Sequence, residues 1–135
     1  MNSYLVSNVA DRKHKKIYEE LGEGAVFDLS PSQHGWNDFL SIKENDSLYV
    51  INKNLNIPLR YIVTKVLDGV KLDECSELSG KVVSVTDGDV RVVFGKPLDR
   101  VDMEYPTFVR QNNIKSPKLD PISNQMRQGF NCVQF

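Results

Sequence analysis

The sequence predicts an α+β domain that is mainly β: a small, closed antiparallel β-barrel with short flanking helices. Three observations carry that expectation. Short β-branched and aromatic runs outnumber helical ones, and tight turns join several of them. The helical stretches also do not alternate with the strands, as a doubly wound parallel sheet requires. A length of 135 residues with 40% hydrophobic content suits a single domain, residues 1–135, around one core.

Tyr4-Leu5-Val6 is a β-prone opening and a candidate central strand. Asp11 can cap a helix over residues 12–22, where Ile17, Tyr18 and Leu21 give helical apolar spacing and Gly22 and Gly24 end it. Ala25 to Leu29 is a second strand, broken by Ser30-Pro31-Ser32. Ser30 or Ser32 can cap the next helix, whose apolar positions are Trp36, Phe39, Leu40 and Ile42. That helix ends in Lys43-Glu44-Asn45-Asp46, where Asn45 tolerates the left-handed conformation.

Ser47 to Ile51 and Leu59 to Val66 read as strands joined by the polar loop Asn52-Lys53-Asn54-Leu55-Asn56. Asp68-Gly69 is a turn and Val70 to Leu72 a short strand candidate. Lys81 to Thr86 and Val90 to Phe94 pair across Asp87-Gly88-Asp89, and Gly95-Lys96-Pro97 stops the second. Pro106, Pro117 and Pro121 then keep elements short. Tyr105 to Arg110 is a short helix or bend, Ser123 to Arg127 one helical turn, and Phe130 to Phe135 a terminal strand returning to the sheet.

No apolar run approaches the length of a membrane span, and the N-terminus lacks a basic region followed by a long apolar run. The expectation is a cytoplasmic protein with no membrane association. Cys75 and Cys132 have no metal-ligand spacing and read as reduced thiols, with their pairing left open. His14 and His34 have no metal spacing either, and no Gly-rich phosphate loop is present. A thiol nucleophile paired with His34 has no local support. Asp87 and Asp89 flank the glycine of a turn, which accounts for them without a metal. No catalytic residue, metal site or small-molecule cofactor is expected, and the chain does not read as an enzyme.

A net charge of −1 is a weak start for a nucleic-acid binder, but its distribution is uneven. Residues 67–104 carry five Lys/Arg against nine Asp/Glu, while residues 105–135 carry four against one. The run Arg12-Lys13-His14-Lys15-Lys16 is either a phosphate contact or a solvated helix face balanced by nearby acids.

Phe27, Trp36, Tyr49, Tyr61 and Phe108 form the informative aromatic set. Aromatic faces stack on bases, and an aromatic pocket can select a flipped or methylated base. Core packing is the competing role, above all for Tyr49 and Tyr61 inside strands. Ser30, Gln33, Asn37 and Asn52 can supply hydrogen bonds to a base edge, though Asn and Ser also serve as caps and turn residues.

The order of elements resembles the EVE domains, and more distantly the YTH domains, within the PUA-like superfamily. Tyr4-Leu5-Val6-Ser7-Asn8 is similar to the opening strand of EVE domains. The segment Gly35 to Asp46 is similar to their Asn-rich helix and Met-Lys-x-Gly-Asp turn, with Asn37, Lys43 and Asp46 on matching places and Asn45 where the family has Gly. Phe130-Asn131-Cys132-Val133-Gln134 is similar to their closing segment. The resemblance implies a PUA-like barrel that binds nucleic acid without catalysis and takes a modified base into an aromatic pocket. Phe27, in Val26-Phe27, stands where YTH domains place a cage tryptophan, and Trp36 would be a second wall. Arg110, Lys115, Lys118 and Arg127 would contact phosphates.

The expected partner is therefore DNA or RNA, with a base held by Phe27, Ser30, Gln33, Trp36, Asn37, Tyr49 and Asn52. The alternative is a protein–protein adaptor or inhibitor that engages a basic partner through the acidic residues 67–104. The first expectation requires a closed sheet with a hollow. A sheet covered by helices on both faces would remove that hollow.

Overall fold

The computed structural model describes residues 1–7, 25–29, 34–52, 54–71, 89–116, 119–120, 125–126 and 131–135. Six strands form one sheet: β1 (Ser3–Ser7), β2 (Ala25–Leu29), β3 (Ser47–Ile51), β4 (Asn56–Lys71), β5 (Asp89–Glu104) and β8 (Cys132–Gln134). Their order is β2-β5-β4-β3-β1-β8. The strand pair β6 (Leu119–Asp120) and β7 (Gln125–Met126) stands apart as a two-stranded sheet. Two helices are described, α1 (Trp36–Leu40) and α2 (Tyr105–Gln111).

β1 lies inside the sheet, between β3 and β8, and the C-terminal strand does return to pair with it. Its residues alternate between the two faces, and each face buries apolar side chains, Tyr4 and Val6 on one and Leu5 on the other. Tyr4 and Val6 join Leu48, Val50, Val63 and Val93 in a core layer closed by Phe39 of α1 and by Ile42. Leu5 joins Ile51, Ile57 and Val133 in a second layer, closed by Tyr105, Phe108 and Val109 of α2. A strand buried on both faces reads as a continuous apolar run, as Tyr4-Leu5-Val6 does.

Two features depart from the expected closed antiparallel barrel. The β1–β3 pair is parallel, with Ser3 opposite Ser47 and Ser7 opposite Ile51. Among the described residues the sheet is also open, because no pairing joins its end strands β2 and β8. Helix α1 occupies the outer side of β8. The Gln134 amide that would join a further strand donates instead to the Asp38 carboxylate at 3.0 Å, and the Asn131 side chain donates to the His34 carbonyl at 2.9 Å. Among the described residues the sheet thus carries one helix against each face and is not closed by pairing of its end strands.

The long hairpin β4–β5 corrects several boundaries. β4 runs through Asp68-Gly69 as a bulge, with Gly69 at φ +64°, where a chain-reversing turn was expected. β5 passes through Gly95-Lys96-Pro97, with Pro97 opposite Tyr61 at a register shift. β2 pairs with β5 only from Arg91 to Phe94, so the proline sits beyond the two-sided part of the strand, where a missing N–H is tolerated. Residues 125–126 pair with 119–120 in place of the expected helical turn. One isolated turn would leave most of its amides unpaired, whereas a short ladder pairs some of them. The expected helix over 12–22 and strand over 81–86 lie outside the described residues.

Candidate functional site

Helix α1 is only five residues long, and its position comes from contacts, not propensity. Its N-cap is Gly35 at φ +87°, with no side-chain cap. The expected caps Ser30 and Ser32 lie outside the described residues. A Cβ at position 35 would meet the backbone of Cys132, so glycine is what lets the helix start lie on β8.

The other end of α1 is held by Arg91, which is 7% exposed on β5. Its Nη1 donates to the Phe39 carbonyl at 2.8 Å, and its Nη2 to the Ile42 carbonyl at 2.9 Å. Its Nε donates to Asp68 at 2.7 Å, and its guanidinium lies 5.8 Å from the centre of the Phe39 ring. The Phe39 carbonyl also accepts from the Ile42 amide at 3.2 Å, so the cation adds a second donor there and complements the C-terminal end of the helix.

Past the helix, Asp46 is 4% exposed and fixes the entry to β3. Its two carboxylate oxygens accept from the Asn2 amide at 2.9 Å and the Lys43 amide at 2.8 Å. Asn45 before it takes φ +73°, as its place in the turn led us to expect. On the inner side, the Tyr4 hydroxyl shares a hydrogen bond of 2.8 Å with Ser41. Burial, and then the nearby Asp38 carboxylate, push the Cys132 thiol well above its ordinary pKa.

Within this frame Trp36 is half-buried at the start of α1. Its ring stacks on Phe39 with centroids 6.3 Å apart and planes 30° from parallel. Tyr61 and Val66 of β4 are the other partly buried groups on the same core layer. Asn37 is exposed on α1, and Lys43 is exposed just after it.

Tyr49 is elsewhere. It lies on the α2 side of the sheet, with its ring 4.8 Å from Phe108 and 5.7 Å from Phe135, centre to centre. In β3 the odd positions face α2 and the even positions face α1. Tyr49 and Trp36 therefore cannot line one pocket, and Phe108 is core beneath α2. Arg110 and Lys115 also belong to the α2 side, in and just after that helix, so the sheet separates them from Trp36.

Asn52 organises the β3–β4 turn. Its Oδ1 accepts from the amides of Asn54 and Asn56, both at 3.0 Å. Phe27 is in β2, its backbone opposite Val93. Ser30, Gln33, Lys118 and Arg127 lie outside the described residues. Tyr61 takes the place in the aromatic face that was expected of Tyr49, because its register opposite Leu48 puts it on the α1 side of the sheet.

The acidic stretch 67–104 is largely paired where it is described. Asp68 is bound by Arg91, Asp99 by Arg60 and Asp102 by Arg100. The hydrogen bond between the last two raises the Arg100 pKa and lowers that of Asp102. Among the described residues no three His, Cys, Asp or Glu side chains group to hold a metal, and no helix is long and apolar enough to cross a membrane.

No protein-family profile matches the chain, and no curated protein matches it by sequence. Solved structures share its fold. A tyrosine-to-phenylalanine variant of the ASCH protein of Zymomonas mobilis superposes with a TM-score of 0.54 over 100% of this chain and 91% of its own, at 7% identity. A serine-to-alanine variant of the same protein gives 0.54 over 98% and 87%, also at 7% identity. At that identity the likeness is one of fold alone.

Proposed function

We propose that this chain is a nucleic-acid-binding module that holds an unstacked base against the α1 face of its sheet. The observation that carries the proposal is the half-buried Trp36 on its rigid bed, stacked on Phe39 beside the partly buried Tyr61. The PUA-like fold supports it. Base–aromatic stacking tolerates any base and is worth about 1–3 kcal/mol per base.

In this assignment Trp36 is the stacking wall, Tyr61 borders it, Asn37 reads a base edge and Lys43 meets a phosphate. The module binds DNA or RNA, takes a modified or flipped base in preference to a paired one, and performs no chemistry itself. Kinship with EVE domains in particular belongs to the same proposal. A hollow inside a barrel plays no part in it.

The test is fluorescence polarisation with single-stranded and duplex DNA and RNA, carrying plain or modified bases, at two salt concentrations. Saturable, salt-sensitive binding that weakens in Trp36→Ala is the expected result. Absence of saturable binding to every oligonucleotide would remove the assignment.

A further inference from the structure

Arg91 is a near-buried cation far from any conventional capping position. Arginine this well buried is ordinarily matched by a buried carboxylate. Here the matching carboxylate, Asp68, has a side chain 68% exposed, while the Arg91 side chain is 9% exposed. Among the described residues the two terminal nitrogens of the guanidinium donate to the carbonyls of Phe39, in α1, and Ile42, just past its end.

Those two carbonyls bracket the end of the helix that carries Trp36. Phe39 is the shared element: its carbonyl accepts from Arg91, its ring lies beneath the guanidinium, and the same ring bears Trp36. Asp68 sits at the β4 bulge beside Gly69, in the adjacent strand. A planar fork that makes three directed bonds fixes an orientation that a point charge cannot.

We infer that Arg91, aimed by Asp68, is a positioning residue that sets the pose of α1 and so the stacking face of Trp36. For affinity the inference rests on the nucleic-acid assignment above; for the pose of Trp36 it does not. The β4 bulge then controls the α1 face from the neighbouring strand. A group that drew Asp68 away from Arg91 would loosen the aromatic wall without touching it.

Trp36 is the only tryptophan in the chain, so its emission reports the pose directly. The experiment compares wild type, Arg91→Lys and Asp68→Asn in the intact chain, by emission maximum and acrylamide quenching on the native baseline. Circular dichroism and the unfolding midpoint establish that each variant is folded. A merely structural role would lower the midpoint and leave native Trp36 emission unchanged.

Arg91→Lys should move emission to longer wavelength and raise quenching about two-fold, because the lysine loses the fork. Asp68→Asn keeps both carbonyl bonds and should move quenching the same way by a smaller amount. Wild-type emission and quenching in a folded Arg91→Lys would overturn the inference. If Arg91→Lys does not fold, wild-type quenching in Asp68→Asn overturns it instead. Failure of the wild type to bind any oligonucleotide would remove the functional assignment and leave the emission result standing.

Discussion

Gly35 and Cys132 approach so closely that a Cβ on the glycine would stand 2.8 Å from the Cys132 carbonyl oxygen and 2.9 Å from its amide nitrogen. Both obstacles are backbone, so neither can swing aside. The φ of +87° adds a second penalty for any L side chain. Gly35→Ala should destabilise the fold by at least about 2 kcal/mol, read as a lower urea midpoint at unchanged slope.

The turn before β3 offers a contrasting pair of substitutions. Asn45→Gly should be tolerated, since glycine adopts φ +73° freely, whereas Asn45→Val should cost about 1–2 kcal/mol. Asp46→Ala should cost about 1–3 kcal/mol, because it removes a buried carboxylate that accepts from the amides of both Asn2 and Lys43. Urea denaturation of the three variants checks the order.

Trp36 and Tyr49 should separate by phenotype. Trp36→Ala should weaken oligonucleotide binding by about 1–3 kcal/mol with a modest loss of stability. Tyr49→Ala removes a ring packed on Phe108 and Phe135, and should cost roughly 2–4 kcal/mol of stability. The folded Tyr49 variant should bind as the wild type does. Parallel titrations and denaturation curves distinguish the two.

The Cys132 thiol gives a pH signature. Its pKa is raised in the folded chain, chiefly by burial. Above the unfolded thiol pKa of about 8.5, the unfolded chain loses a proton that the folded chain keeps. Stability is therefore full below about pH 8.5 and falls by about 1.4 kcal/mol per pH unit above it, until the raised pKa is reached. In a Cys75→Ser background, Cys132→Ala should flatten that alkaline slope. A thiol reagent at pH 8 should react with Cys132 only on unfolding.

Elements with local causes were legible in the residues alone. Tyr4-Leu5-Val6 is apolar on every residue, and a strand buried on both faces needs that. Asn45 in a turn accepts a left-handed backbone, and Phe130 to Phe135 is β-prone enough to return to the sheet. Strand neighbours, and the face each aromatic took, were set by long-range packing instead. Tyr49 and Tyr61 look alike as sequence, yet the two-residue period of β3 and the β3–β4 register send them to opposite faces. Nothing near Arg91 marks it, because its three partners come from positions 39, 42 and 68. The open sheet was equally hidden. It depends on a five-residue helix lying over β8, and that contact joins residues about a hundred positions apart, where no local preference reaches.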